Sequence, residues 1–499
     1  MGKWLEHIQD GLVAIIASGT EALVAPADAS SSLGQRWLQR VWLAGLYGAG
    51  LLVWAVFLDW GKIPFSVRDW TREWGFETVL RQAVTSGRLP LHISLAVQGT
   101  DRFLAIPETL VSPQILLLRL VDIGPFILLN ALILFTAGFC GLLLLKRHLR
   151  LSTLVFSVLF VLFAFNGHIT SQIAVGHAMW VGYFVLPFFF LLVFQLLDRA
   201  TSRNWHLWMA LALFGIVLQG AIHIYIWCLL FLGLLWLVAP HIRMPIFLAI
   251  VVSLLLGMFR FLPAGLAFPR GTFVFYPGYS SLAQLITGLA ILVTPGQAFS
   301  MNTHLGWWEY DMYLGVLGLA FLMFFGLCRR PASGPASASN GSTLGVLFVP
   351  VTVVAVLSLG YFYKPIHALP IPLFGHERVP SRFLILPLLT LAILASISAQ
   401  RWLNEHSPRL AGRLLALCAL LVLAHDLSLH ARAWRLEAVA QAYPVNSIDL
   451  SLHIANRPDP TYLGLLGLGM LVSVVTLVFT IVRLARGKKG ASLAQPSSG

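Results

Sequence analysis

The chain has 499 residues, of which 58% are hydrophobic and only 11% charged, with a mean hydropathy of +0.82. A soluble protein keeps about 25% charged residues on hand, so the long apolar runs that recur from end to end exclude a soluble enzyme and indicate a polytopic membrane protein. The formal net charge of +13 would suggest nucleic acid in a soluble domain, but the cytoplasmic bias of Lys and Arg accounts for it in a membrane protein, and no nucleic-acid partner is expected.

In chain order, the opening MGKWLEHIQDGLVAIIASGTEALVAPADAS is amphipathic. It lacks a basic region leading into an apolar core and a small-residue cleavage site. Residues 1–40 therefore read as a cytoplasmic or interfacial N-terminal segment. A helix is the simplest way to satisfy a backbone in lipid. On that basis the apolar runs predict spans near 41–59, 115–145, 151–166, 175–197, 204–220, 222–239, 244–262, 311–328, 343–361, 381–399, 411–427 and 461–483. The result is an all-α polytopic fold of about twelve transmembrane helices occupying 41–483, with a basic cytoplasmic tail at 484–499. The run at 115–145 is long enough to include an interfacial segment. The run from 204 to 239 is continuous, and one tilted helix with a re-entrant turn would fit it almost as well as two spans.

Sidedness follows from charge. With the N-terminus cytoplasmic, the short inside connections and the two ends hold 18 of the 33 basic residues and only 6 of the 20 acidic ones. That is the positive-inside pattern, and it makes both termini cytoplasmic. The extracytoplasmic side then carries the long loops, at about 60–114, 263–310, 362–380 and 428–460. The inside has turns and one low-complexity stretch, RRPASGPASASNGSTLG, read as a flexible connection. No phosphate-binding GKS/GKT loop or Rossmann glycine pattern is present, so chemistry is expected on the extracytoplasmic face. Cys140, Cys228, Cys328 and Cys418 all lie in or at the ends of apolar runs with no metal or redox spacing, and no structural disulfide is expected.

The first loop carries SVRDWTREWGFETVLRQAVTSGRLP. It predicts a helix opening near Asp69 and ending at Gly87. Asp69, Glu73, Glu77 and Arg81 share one face of it, and Trp70 and Trp74 form a neighbouring ridge suited to the headgroup layer. The plain account is an interfacial amphipathic helix with ordinary ion pairs. The functional account is a general base: sugar transfer to a hydroxyl needs a carboxylate within about 3 Å to take the proton, and Asp69 stands closest to the first span, with Glu73 one turn on.

Further along, FNGHITSQIAVGH places His168 and His177 around the third and fourth spans. They read either as interfacial hydrogen-bonding groups or as ligands for a phosphate or sugar hydroxyl. QGAIHIYIW puts Gln219, His223 and Tyr225 between two apolar runs, where polar groups face a protein interior or a cavity. PRGTFVFYPGYSS, with Arg270, Tyr276 and Tyr279, has the make-up of a folded loop able to cover a site. GWWEYDMY brings Glu309 and Asp311 to the start of a span among aromatic residues that suit either an interface belt or a sugar platform. Two residues apart, those acids do not share a face, so one is expected to point inward. HERVPSRF places Arg382 in the first turn of the next helix with Ser381 as its cap and Arg378 one turn before. Arg382 is the candidate phosphate ligand, because its fork can hold two oxygens of an anion drawn to the helix N-terminus.

The order of five segments resembles the C-type (GT-C) superfamily of integral-membrane glycosyltransferases, and most closely the bacterial YfhO-like membrane proteins. These are RDWTREWGFETVLRQAVTSGRLPL (68–91), GTDRFLAIPETLVSPQILLLRLV (99–121), FNGHITSQIAVGHAMWVGYFVLPF (165–188), WEYDMYLGVLGLAFL (308–322) and ERVPSRFLILPLL (377–389). The resemblance implies a GT-C-like fold in a bacterial-type inner membrane. It also implies inverting transfer of a sugar from a polyprenyl-phosphate carrier to a glycan, lipid or protein acceptor, with an acid of the first loop as base. By position that acid is Asp69, with Glu73 second; many relatives carry a close acidic pair here, whereas Trp, Thr and Arg follow Asp69. The substrate-binding set is Arg382, Arg378, His223, His168, His177, Glu309, Asp311 and Tyr276. A divalent metal among Asp69, Glu309 and Asp311 is compatible with the sequence and not required by any spacing. Two other readings stay open: a non-catalytic envelope assembly or scaffold protein, and a transporter of lipid-linked saccharides, which repeated halves would mark.

The sidedness is directly testable. Leu95→Cys and Val445→Cys should react with an impermeant thiol reagent in intact cells, and Pro335→Cys only after permeabilisation; the reverse pattern would invert the topology.

Overall fold

The computed structural model describes residues 13–14, 16–25, 32–199, 201–267, 278–301, 303, 305–328, 345–367, 377–443, 445 and 450–493. Apolar helices occupy all twelve of the predicted runs, but they are not alike. Seven are long and apolar enough to cross a membrane: Leu33–Phe57, Ile123–His148, Thr153–Ala174, Ala178–Leu197, Pro380–His406, Leu410–Ala433 and Pro460–Arg486. The pair Pro240–Leu256 and Met258–Ala267, bent by 69°, makes an eighth if it counts as one span. Trp205–Leu218, Ile222–Val238, Gly315–Cys328 and Phe348–Leu357 are apolar but only 10–17 residues long. The chain is an all-α polytopic membrane protein, and among the described residues seven helices, or eight with the bent pair, are long and apolar enough to span.

Local chemistry explains where helices break. The run at 115–145 divides into a 3-10 segment, Pro113–Arg119, and the helix Ile123–His148, with Asp122 in extended conformation between them. The run from 204 to 239 is two helices, not one tilted helix. They separate at Gly220, whose φ of +74° a side chain rarely adopts, and a Cβ there would collide with the Glu108 carbonyl. Layering follows burial. The apolar stretch of Thr153–Ala174 is 94% buried and forms the centre, whereas Pro460–Arg486 is 22% buried and shows Val475, Val478, Phe479 and Ile481 outward, as a helix facing lipid would.

The first loop contains the expected helix, Trp70–Ser86, with Asp69 at its N-cap and Gly87 in the left-handed conformation at its C-cap. Its setting differs from a helix lying on a membrane surface. Trp70 is fully buried and its indole N–H donates to the Ala174 carbonyl at 3.1 Å; Glu73 and Glu77 are buried too. The helix is packed into the protein because loop segments close over it. After it comes an element that the sequence reading did not mark, a two-stranded antiparallel hairpin of β1 (His92–Val97) and β2 (Thr100–Arg102). Gln98 and Gly99 make its turn with φ of 55° and 85°, the sign that matches strand twist in a two-residue hairpin.

The long connections meet at one end of the helices. Asn456 clasps the first loop: its Oδ1 accepts from the backbone N–H of Leu91 and His92, both at 3.0 Å, and its amide donates to the Leu89 carbonyl at 2.9 Å. Val67 bridges to Val445 and Ile93 to Ile454, and Asp459 and Arg102 pair at 2.8 Å. The second long loop joins in through Ser381, whose hydroxyl donates to the Glu309 carbonyl at 2.6 Å. Ser381 is thus a tie between loops and not the helix cap its position suggests; the 3-10 turn Pro380–Leu384 has no side-chain cap.

Asn456→Ala removes the acceptor of two backbone donors and should lower stability by about 1–3 kcal/mol, read as a drop in the thermal unfolding midpoint in detergent. Asn456→Asp, which keeps the acceptor, should lose less.

Candidate functional site

Most of the polar side chains singled out above converge where the loops meet, in two linked networks. The first begins at Asp69. Gly176, at φ +100°, lets the chain pass so close to Trp70 that a Cβ would strike its backbone, and Asp69 N–H donates to the Val175 carbonyl at 3.1 Å. This contact sets Asp69 Oδ2 2.7 Å from His177 Nε2. His177 Nδ1 meets Gln172 Oε1, and the Gln172 amide donates to Glu309 Oε2 at 3.1 Å. Glu309 in turn takes a two-pronged bond from the Arg382 guanidinium, which lies 5.3 Å from the Trp180 ring centre.

The second network joins Glu73 and His223 to residues that the sequence reading passed over, Arg72, Glu108 and Glu377. Arg72 pairs with Glu108 at 3.2 Å and lies 3.5 Å from Glu73 and 3.7 Å from Asp69. Glu108 also accepts from the Gln98 amide at 2.8 Å and sits 3.4 Å from His223 Nε2. His223 Nδ1 is 2.7 Å from Glu377 Oε1, and Trp227 donates to Glu377 Oε2 at 3.0 Å. Both ring nitrogens of His177 and of His223 therefore face side-chain oxygens, those of Asp69 and Gln172 for the one and of Glu108 and Glu377 for the other. Trp180 stacks on His223 at 6.2 Å and 13°, joining the two networks.

Other expected residues fall elsewhere. Asp311 turns away to His430, 2.9 Å from Nε2, so of the neighbouring acids only Glu309 enters the networks. His168 is buried against Trp180, and neither of its nitrogens has a hydrogen-bond partner. Arg378 is half-buried beside Glu377 in the chain. Tyr276 and Arg270 lie outside the described residues. An open sugar platform is not formed by Trp307, Tyr310 and Tyr313, which are buried; Trp308 and Tyr443 instead hold Arg68, with its guanidinium 5.0 and 4.2 Å from their rings. Asp69, Glu309 and Asp311 are each paired with a different base, His177, Arg382 and His430. Among the described residues no group of three or more His, Cys, Asp or Glu is arranged to hold a metal.

Glu108 could have been marked in the sequence as an acid set among apolar residues, in AIPETLV, a costly placement unless paired; Glu377, between His376 and Arg378, carries no such signal. Nothing in the spacing names their partners.

Electrostatics separate the acids into two kinds. Burial pushes Asp69 upward, but the His177 hydrogen bond and charge, together with Arg72, hold it well below the usual carboxylate range. Glu108 is likewise held low, burial being outweighed by Arg72 and by bonds from His223 and Gln98. Glu73 behaves oppositely: burial, with Glu108 and Asp69 adding repulsion, outweighs Arg72 and raises it to about 8. Burial also raises Glu77, and Glu73 adds to it. Exposure does not make the division: the Asp69 side chain is 45% exposed and that of Glu108 9%, yet both are held low, while Glu73 at 6% is raised. The acids with close basic partners are ionised, and Glu73 and Glu77 favour the protonated form.

The chain matches no protein-family model, no curated protein and no solved structure.

Because Glu73 binds its proton more tightly folded than unfolded, from 4.5 up to about 8, the native state holds more protons across that window and its stability falls as pH rises through it. Glu73→Gln should flatten this decline, so that the variant gains on the parent in unfolding midpoint between pH 5 and 9. An unchanged slope would remove Glu73 as its source.

Proposed function

We propose that the protein is a glycosyltransferase that moves a sugar, with inversion, from a polyprenyl-phosphate-linked donor to an acceptor hydroxyl on the extracytoplasmic side. On this reading it has the GT-C-like architecture, with the bent and short helices completing twelve crossings, in a bacterial-type inner membrane with both termini cytoplasmic. The observation that carries the proposal is Asp69: a solvent-open, ionised carboxylate, fixed by His177, at the end of the molecule where the loops gather. The acceptor oxygen attacks the anomeric carbon, the bond to phosphate breaks, and the acceptor proton passes to Asp69. With its basicity depressed, Asp69 takes that proton only as the new bond forms and the hydroxyl turns acidic. Arg382, with Arg378 near it, supplies positive charge for the departing phosphate; phosphate then competes with Glu309 for the Arg382 fork. Glu73, being sealed, supports the base from behind and does not touch the acceptor.

One observation favours a second reading, a non-catalytic envelope assembly protein: Arg382 and Glu309 already satisfy each other. Turnover of a panel of polyprenyl-phosphate sugars, assayed with Asp69→Asn and Glu73→Gln, separates the two. Asp69→Asn should lose about 10²–10⁴-fold in turnover with lipid-phosphate binding retained, and Glu73→Gln should lose much less. Full turnover in Asp69→Asn would sink the assignment of the base. A parent that turns over none of the panel, while Arg382→Ala binds polyprenyl phosphate as the parent does, would favour the second reading.

A further inference from the structure

Behind Asp69 the acids and bases do not come out even. Four acids each have a basic partner: Asp69 with His177, Glu108 with Arg72, Glu309 with Arg382, and Glu377 with His223. Glu73 and Glu77 are left over, with only the shared Arg72 at 3.5 Å from Glu73. Both line a small cavity with Glu108, Asn130 and Gln219, walled by Leu110, Phe126, Ile127, Met179 and Val181 and offering about 20 Å3 to the centre of a water-sized sphere. That is room for a particle the size of one water.

Glu77 Oε2 and Asn130 Oδ1 in the lining have no hydrogen-bond partner, and Glu73 Oε1 has only the Arg72 guanidinium at 3.5 Å. All three residues are more than nine-tenths buried. All three atoms are acceptors, so either a donor hydrogen, such as that of one water, or a cation satisfies them. Asn130 comes from a different helix than the two acids, and its amide is turned so that its N–H group donates toward Gln219 Oε1 at 3.4 Å. That leaves its carbonyl oxygen for the cavity.

We propose that this cavity binds one small monovalent cation, Na+ by its size, in competition with protons on Glu73 and Glu77. The acceptors turned to the cavity are oxygens, which favour a hard cation. Mg2+ keeps a near-octahedral shell of several waters and Ca2+ takes six to eight oxygens, and a one-water space holds neither. Arg72 beside Glu73 also repels a dication more than a monocation. The groups that face the pair are Arg72, Asp69 and Glu108 toward Glu73, and Glu73 toward Glu77. The helix Ile123–His148, the segment 178–185 and residue 219 contribute only uncharged side chains to the lining. The pair can therefore hold either protons or the cation, and the raised proton affinity of both acids sets the exchange. The proposal does not depend on sugar transfer.

The test is thermal unfolding of the purified full-length protein in detergent at pH 9, with NaCl replacing choline chloride at fixed ionic strength. The midpoint should rise saturably with Na+, and the concentration needed should grow by roughly tenfold per pH unit for each proton displaced as pH falls below the titration of the pair. Glu77→Gln and Asn130→Leu should lose the response. Asp101→Asn, which alters only a surface pair with Arg457, should keep it. Choline as effective as Na+ would overturn the site, as would a response that does not weaken at lower pH. A response to Mg2+ but not to Na+ would overturn the monovalent assignment. If both cavity variants fail to fold, the pH dependence of the Na+ response in the unaltered protein still decides.

Discussion

A carboxylate taken out of water must meet a positive partner or take up a proton, and the loop end of this molecule is built round that demand. Asp69, Glu108, Glu309 and Glu377 come from three separate parts of the sequence; Asp69, Glu309 and Glu377 are each answered by a base from another part, and Glu108 by Arg72 of its own loop with His223 beside it. These pairings tie backbone segments together. Removing one member of such a buried pair leaves the other uncompensated, at a cost of about 3–5 kcal/mol. The networks hold the loops in register as well as shaping a site, and this accounts for how little of the first-loop helix reaches the surface.

The same demand creates a contrast within one helix. Asp69 and Glu73 are a single turn apart, and their surroundings drive them to opposite protonation states. Asp69 stands at the rim with His177 against it; Glu73 points inward, where apolar walls and a second acid favour the proton. A face drawn from i,i+4 spacing would put both in one role. Depth along that face, which spacing does not report, divides them.

Much of the architecture was legible because hydropathy and charge act over short stretches. The apolar runs coincide with helices, and the Asp69 and Gly87 caps mark the ends of Trp70–Ser86. The break at Gly220 falls where the runs 204–220 and 222–239 divide. The number of long spans was less legible, because an apolar run does not reveal how much of it is helix, only 14 residues in Trp205–Leu218 and 10 in Phe348–Leu357. The site was partly legible: His177, His223, Glu309 and Arg382 do converge. Asp311 does not, and Arg72, Glu108, Gln172 and Glu377 were overlooked. Their roles depend on partners such as Glu377 for His223, 154 positions away, and periodicity reports which face a residue is on but not what comes to meet it. Trp70 was misread for a related reason: an aromatic near a span suits the headgroup layer and a protein interior equally well, until it is known what covers it.

The Asn456 clasp carries a consequence for how the molecule is made. The donors it holds, at Leu91 and His92, precede it by 365 and 364 residues. At translation rates of roughly 5–20 residues per second, the first loop waits on the order of tens of seconds after synthesis for the residue that closes it. During that time its hairpin edge is uncovered, and an open edge is a template for pairing with other chains. Maturation of the loop end is thus a late event, gated by the delivery of the last extramembrane segment, and a ribosome stalled before that segment would leave an inserted bundle with an unfinished face.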